Sequence, residues 1–348
     1  MVWSGKKETF DKTMPKERIL ITGGTGFIGT HLTNALVTKH PNATIEIVDD
    51  LSSSSISHKR RDYFKEKEIL FRHSTVEDFY IPTNVRYSQI YHLACRVGPA
   101  HVTKYTGRMG SEIIQDAMKM AYLAIRDKAS LISISTSEVY GKDPSGKPQR
   151  EDSKMEVSAK FSARLEYTLS KLMTEISLIN LATVEPLRVN FIRPFNIVGP
   201  YQTGEGGFVL PRFVESAFQD KPITVFGDGT QVRAFTHVSD LVDSLLLIME
   251  SEVNRKIYNV GTPANTCTIM DLAKMVIALL DSNSEIQCVD PKTIFGDLYT
   301  DAPSKIPEIS LIKNDLGWKP RWFMNEIIEN YAEFYQVSNA DEFRQAVA

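Results

Sequence analysis

The sequence predicts an α/β fold, a doubly wound parallel sheet with a smaller, interleaved C-terminal lobe. Short apolar runs alternate with helical patterns from Arg18 to about Val198. The runs are Ile19–Thr22, Thr44–Val48, Glu68–Arg72, Gln89–Leu93, Ser130–Ser135 and Leu187–Ile192, with helical stretches such as Met109–Arg126 and Arg164–Ala182 between them. Alternation of this kind builds parallel strands joined by helical crossovers. After Pro194 the texture changes. Gly199-Pro200, the glycine-rich segment Gly204–Gly207, a helical stretch Leu210–Gln219 and the run Pro222–Gly229 suit a lobe that covers a ligand. Ile257–Val260 reads as a strand returning to the main sheet.

The first strand carries the most information. Residues 18–29 read Arg-Ile-Leu-Ile-Thr-Gly-Gly-Thr-Gly-Phe-Ile-Gly. The strand Ile19–Thr22 is followed by Gly23, Gly26 and Gly29, and Ile28–Leu36 starts a helix that Phe27 and Ile28 open. Glycines at this spacing let the backbone turn tightly and approach a pyrophosphate, and the helix's unpaired N–H groups and dipole attract the anion. The second strand ends at Asp49, 20 residues after Gly29. A carboxylate at that distance meets a ribose 2′-OH and repels a 2′-phosphate, which favours NAD over NADP.

Composition excludes several classes. The chain has 348 residues, 42% hydrophobic and 24% charged, with net charge −3, as expected of a globular protein without a nucleic-acid partner. The basic cluster His58-Lys59-Arg60-Arg61 is short and reads as a solvated helix face or a phosphate-side loop. Cys95, Cys267 and Cys288 form neither a metal pattern nor a disulfide framework, which fits a reducing, cytoplasmic setting. The sequence offers no signal-like or membrane-spanning apolar segment, and Met1–Lys16 reads as a loosely ordered extension.

Two constellations carry chemistry. Ser135-Thr136-Ser137-Glu138-Val139-Tyr140-Gly141 follows the strand Leu131–Ile134 and so sits at the carboxyl edge, where open α/β sheets bind ligands. Thr136 offers a hydroxyl to a substrate hydroxyl undergoing oxidation, and Glu138 a carboxylate in the same crevice. Tyr167 and Lys171, at i and i+4, share one helix face. A free phenol is a poor base at neutral pH. A nearby ammonium and an oxidised nicotinamide favour phenolate, and a fall of about two to three pKa units is worth roughly 3–4 kcal/mol. Tyr167 is then the expected general base for an alcohol losing hydride.

Thr22–Gly29, Tyr91-His92-Leu93-Ala94, Ser135–Gly141, Tyr167 with Lys171, and Arg193-Pro194-Phe195-Asn196 follow one another in order. Gly227-Asp228-Gly229, Arg233–Asp240 and Leu316-Gly317-Trp318-Lys319-Pro320 come later. Over nearly all of residues 18 to 335 this pattern resembles the extended short-chain dehydrogenase/reductase family, specifically its NAD-dependent nucleotide-sugar epimerases, dehydratases and decarboxylases. The resemblance implies a Rossmann-type domain over 18–198, completed by a strand near 256–261, and a mainly substrate-binding lobe over 199–348. It implies Tyr167 as base, Lys171 on the ribose and the tyrosine, Thr136 on the reacting hydroxyl, and Leu93 and Ala94 beside NAD. Ser137 and Asn196 would touch the nucleotide sugar, and Arg233 its diphosphate.

Three positions depart from the pattern. Ser74 stands where many relatives place an adenine-binding Asp. Lys305-Ile306-Pro307-Glu308 stands where relatives often have Arg-x-Pro-Asp, which assigns Lys305 to the phosphates. Cys95–Gly110 does not match the usual substrate-side loop. The Ser-Thr-Ser-Glu order resembles UDP-glucuronate decarboxylases and some 4,6-dehydratases, and Arg164 resembles an arginine that decarboxylases carry three residues before the base. The expected reaction is C4 oxidation followed by decarboxylation, with 4,6-dehydration second and epimerisation third. Relatives also pair as homodimers through two helices, here near Ser111–Arg126 and Arg164–Ala182. Their apolar positions Ile113, Ile114, Ala117, Met118, Ala121, Leu172, Ile176 and Ile179 serve either an interface or the sheet.

Overall fold

The computed structural model describes residues 17–347 apart from 53–57, 142–145, 158, 160, 205–206, 292 and 294–301. The N-terminal extension to Lys16 and part of the glycine-rich segment Gly204–Gly207 lie outside the described residues. Strands β1 (Arg18–Thr22), β2 (Thr44–Asp49), β3 (Leu70–His73), β4 (Gln89–His92), β5 (Ser130–Ile134) and β6 (Arg188–Pro194) alternate with helices α1 (Phe27–Lys39), α2 (His58–Glu66), α3 (Pro99–Lys104), α4 (Met109–Asp127) and α5 (Ala163–Val184). Then follow β7 (Ile197–Val198), α6 (Val209–Phe218), β8 (Ile223–Phe226), β9 (Val232–Ala234), β10 (Thr236–His237), α7 (Val238–Glu250) and β11 (Ile257–Val260). The chain ends with β12 (Thr266–Thr268), α8 (Ile269–Leu279), β13 (Ile286–Val289), β14 (Ser304–Lys305), α9 (Ser310–Leu316) and α10 (Met324–Val347).

The main sheet has seven strands in the order β3-β2-β1-β4-β5-β6-β11, all parallel. Strand order reverses between β1 and β4, and the crevice beyond their carboxyl ends is where a doubly wound sheet binds its ligand. Both faces are covered, which is why these strands read as continuous apolar runs. Ile19 and Ile21 pack with Leu32 and Leu36 of α1 and with Leu241 and Leu245 of α7. Leu20 faces the opposite layer with Ala117, Met120 and Ala121 of α4 and Leu178 of α5. The third strand starts two residues later than the apolar run suggests. Glu68 turns at φ +53°, and Ile69 N–H closes on the Phe64 carbonyl at 2.8 Å, so both residues end the preceding helix.

The smaller lobe has its own core of Leu210, Phe213, Val225, Phe235, Val276 and Ile328. Its short sheet pairs β9 antiparallel with β12 and parallel with β14, a register that sets Lys305 beside Arg233. Among the described residues no helix is long and apolar enough to cross a membrane.

Beneath the crevice the fold buries an ion pair. Arg193 of β6 and Glu175 of α5 have side chains 1% and 2% exposed, joined by bonds of 2.9 and 2.6 Å. Removing one partner strands the other charge in a low-dielectric interior, whereas replacing both with apolar groups does not. Glu175→Ala should lower stability by about 3–5 kcal/mol. The double change Glu175→Leu with Arg193→Met should cost less than the single one, as read by urea unfolding.

Candidate active site

The dinucleotide end of the crevice is built by close approach of backbone. Gly23 sits at φ +73°, where an added Cβ would lie 2.8 Å from the Ala94 nitrogen, and one on Gly29 would lie 2.2 Å from the Gly23 carbonyl oxygen. Gly26 is the N-cap of α1 and supplies no side-chain cap. A helix start of this kind presents the first-turn N–H groups, here of Phe27 and Ile28, to a ligand. The loop after β4 lies against the turn: Leu93 N–H donates to the Thr22 carbonyl at 3.1 Å and Ala94 N–H to Thr22 Oγ1 at 3.3 Å. Asp49 accepts from Thr25 N–H at 3.0 Å and Leu51 N–H at 2.9 Å, which holds its carboxylate at the end of β2 where a dinucleotide ribose lies. A turn that is glycine but for Thr25, a helix start without a side-chain cap and a carboxylate at the strand end fit an NAD-type dinucleotide.

The chemical end lies at the carboxyl edge of β5. Thr136 N-caps a single 3₁₀ turn, Ser137–Tyr140, by accepting from Glu138 N–H at 3.2 Å. Tyr167 is buried, and Thr136 is the neighbour that favours its anion. Lys171, one turn further along α5, donates to the Ile134 carbonyl at 2.7 Å, so the ammonium is anchored to the last residue of β5. The protein groups around the phenol act against the expected depression. Burial pushes the Tyr167 phenol well above its usual value, and Cys95 and Glu138 add to the effect against Thr136. Desolvation wins here because an anionic phenolate would be wrapped by protein and faced by a carboxylate.

Two cations grip Glu138. Arg164 donates to it through Nε at 2.6 Å and Nη2 at 2.9 Å, in a two-pronged pair. The Lys305 ammonium, 4% exposed, pairs with the same carboxylate. Burial alone would raise the Glu138 pKa, but Lys305 and Arg164 outweigh it and hold the carboxyl well below the usual range. These contacts bear on two sequence expectations. Lys305 holds Glu138, whereas the family pattern assigned it to a phosphate. Arg164 is already engaged with a carboxylate supplied by the protein itself.

Asn196 and Arg233 form a neighbouring group. Asn196 adopts the left-handed region at φ +41° and donates from Nδ2 to the Ala234 carbonyl at 3.0 Å. Arg233, next in chain to that residue, is buried and donates from Nη1 to the Val232 carbonyl at 2.8 Å. Ser137 is buried beside Glu138 in the 3₁₀ turn. The structure thus brings Thr136, Ser137, Glu138, Arg164, Tyr167, Lys171 and Lys305 to one place, with Asn196 and Arg233 joined to it through the β9–β14 pairing. Sequence reasoning missed Cys95 as a neighbour of Tyr167 and missed the Lys305–Glu138 pair. No local spacing relates residues 167 positions apart.

The model of the NAD dependent epimerase/dehydratase family matches residues 19–261. UDP-glucuronic acid decarboxylase 4 of Arabidopsis thaliana is 33% identical over 305 residues, which cover 87% of this chain and 65% of that protein. The chain therefore spans slightly less than two thirds of that relative's length. UDP-glucose 4-epimerase of Thermotoga maritima, solved with UDP-glucose, is 25% identical with a TM-score of 0.79 over 92% of this chain and 99% of that one. UDP-glucuronic acid 4-epimerase of Bacillus cereus, solved with UDP-glucuronic acid and NAD, shares the fold with a TM-score of 0.78 at 21% identity, over 92% of this chain and 99% of that one.

Asp49→Ala should weaken NAD binding and relax discrimination against NADP, because the charge that repels a 2′-phosphate is gone. Titration of the variant with both dinucleotides checks this; an unchanged preference would show that Asp49 does not face the ribose.

Proposed function

The chain belongs to the NAD-dependent epimerase/dehydratase family, and from that premise we propose that it decarboxylates a nucleoside-diphosphate sugar acid, as a UDP-glucuronate decarboxylase does. The observation that carries this reading is the Glu138 carboxylate held between Arg164 and Lys305 beside the Tyr167–Thr136 pair. The pocket contains two cations arranged around a carboxylate, next to the group that would take the hydroxyl proton. A substrate bearing its own carboxylate near the reacting carbon would have to share Arg164 and Lys305 with Glu138, or displace it.

Thr136 orients the C4 hydroxyl by hydrogen bonding, and Tyr167 takes its proton as hydride leaves C4. NAD, when bound, supplies the hydride acceptor and a positive charge that lowers the barrier to phenolate. Lys171 fixes the helix face that carries Tyr167 against β5. The resulting 4-keto acid is a β-keto acid. Its C5–C6 bond breaks, the electron pair moves into the C4 enolate, carbon dioxide leaves, and a proton adds at C5 before hydride returns to C4. Asn196 and Arg233 would hold the diphosphate, for which a buried arginine offers several donors. A 4,6-dehydration needs a base at C5 and a protonated acid at C6, and an ionised Glu138 could serve only as the base. In this reading residues 199–348 are mainly the substrate lobe.

Incubation with UDP-, dTDP-, GDP- and CDP-sugars, acids included, followed by mass spectrometry tests this reading. Loss of carbon dioxide from a sugar acid is the expected result. Loss of water, or isomerisation at unchanged mass, would replace decarboxylation with the corresponding reaction. On the substrate so identified, Tyr167→Phe should lower turnover at least about a hundredfold, since the proton acceptor is removed and the ring packing kept.

The chain is further proposed to pair as a homodimer through α4 and α5. Of the apolar positions on these helices, Ile113, Ala117 and Ala121 are buried within the chain and cannot reach a partner. Ile114, Met118 and Tyr122 line an outward groove of about 540 Å³, and Leu169, Met173 and Ile176 of α5 are exposed. Exposed apolar surface of this extent favours association. Sedimentation at micromolar concentration should show a species of twice 39.2 kDa, and Met173→Glu should shift it toward the monomer.

A further inference from the structure

We propose that Arg96 is a strap across the dinucleotide: a cation that ties the two lips of the crevice together over the glycine turn and slows the departure of NAD. The residue lies in the loop that follows β4, two positions after Ala94, whose backbone rests on Gly23. Arg96 Nη2 donates to Asp50 Oδ2 at 3.2 Å, and Nη1 donates to Glu112 Oε2 at 2.5 Å. Its guanidinium lies 4.3 Å from the centroid of the Tyr105 ring. Asp50 directly follows β2, and Glu112 lies in the first turn of α4.

Sheet order gives these contacts their meaning. β1 runs between β2 and β4, so a pair joining the residue after β2 to the loop after β4 spans the carboxyl end of β1. That end is the glycine turn. α1 covers one face of the sheet and α4 the other. A diphosphate at the turn therefore has the start of α1 on one side and the Arg96 loop on the other. The same rim carries the carboxylates Asp49, Asp50 and Glu112, which repel a dianion. Arg96 offsets that repulsion. Two of its nitrogens hold carboxylates, while its Nε is buried without a hydrogen-bond partner, and a guanidinium has five N–H donors to distribute. The arginine is half-buried, with 23% of its side chain exposed, so its pairs are less screened than surface ones. For a dinucleotide to leave, the Arg96–Asp50 bridge must open.

This inference concerns retention of NAD and holds whichever reaction follows oxidation at C4. The test loads the full-length protein with NAD, mixes it with excess 1,N6-etheno-NAD and follows exchange by fluorescence. Arg96→Gln should raise the NAD dissociation rate about tenfold or more. Asp50→Asn and Glu112→Gln, each freeing one end of the strap, should raise it by smaller factors. Thermal midpoints of the NAD-free proteins separate this effect from general destabilisation. A dissociation rate within threefold of wild type for Arg96→Gln would overturn the proposal. So would a rise confined to Arg96→Gln together with a lowered midpoint. If Arg96→Gln does not fold, Asp50→Asn and Glu112→Gln decide: acceleration by either supports the strap, and none by both overturns it.

Discussion

The active site depends on a charge pair that substrate never touches. Arg193 and Glu175 are both sealed from water, and each is saturated by further bonds. Glu175 also accepts from Ser135 Oγ, while Arg193 Nη1 donates to Tyr140 Oη at 2.9 Å and to the Glu151 carbonyl at 3.1 Å. Tyr140 in turn donates to Asn259 Oδ1 at 2.6 Å. One network therefore joins α5, the end of β5, the 3₁₀ turn, β6 and β11. Burying two ions is costly, and a fully bonded network offsets that cost only in one geometry. That geometry places the α5 face with Tyr167 and Lys171 against the residue, Ser135, that precedes Thr136.

The clamp on Glu138 follows a different logic. Arg164 comes from the start of α5, within the nucleotide-binding half, but Lys305 arrives on a two-residue strand of the smaller lobe. Its position is fixed by pairing with β9, which also carries Arg233. Lys305 and Arg233 are thus neighbours in one short sheet, and the clamp on Glu138 is completed only when the smaller lobe docks. A lysine at this position gives a point charge to a carboxylate that Arg164 already holds with a fork, so the two cations do not compete for the same geometry.

Tyr167, the proposed base, lies in a pocket that opposes its ionisation. Its surroundings favour the neutral phenol, because burial and the nearby Cys95 and Glu138 penalise an anion. Thr136 favours phenolate, and the positive charge of an oxidised nicotinamide would act in the same sense.

By itself the sequence determined the layers and the dinucleotide turn, because these rest on local physics. Apolar runs such as Ile19–Ile21 can only be buried strands, the glycines at Gly23 and Gly29 are required where backbone meets backbone, and the i,i+4 spacing puts Tyr167 and Lys171 on one helix face. The family pattern named Thr136, Glu138, Arg164, Asn196, Arg233 and Lys305, yet it could not say which of them meet. Tertiary structure decided that Lys305 and Arg164 both close on Glu138, that Lys171 is bound to the Ile134 carbonyl, that burial raises the Tyr167 phenol, and that Arg96 bridges Asp50 and Glu112. Charge pairing and desolvation depend on distances between segments far apart in the chain. Those distances exist only once the sheet has closed and the smaller lobe has docked.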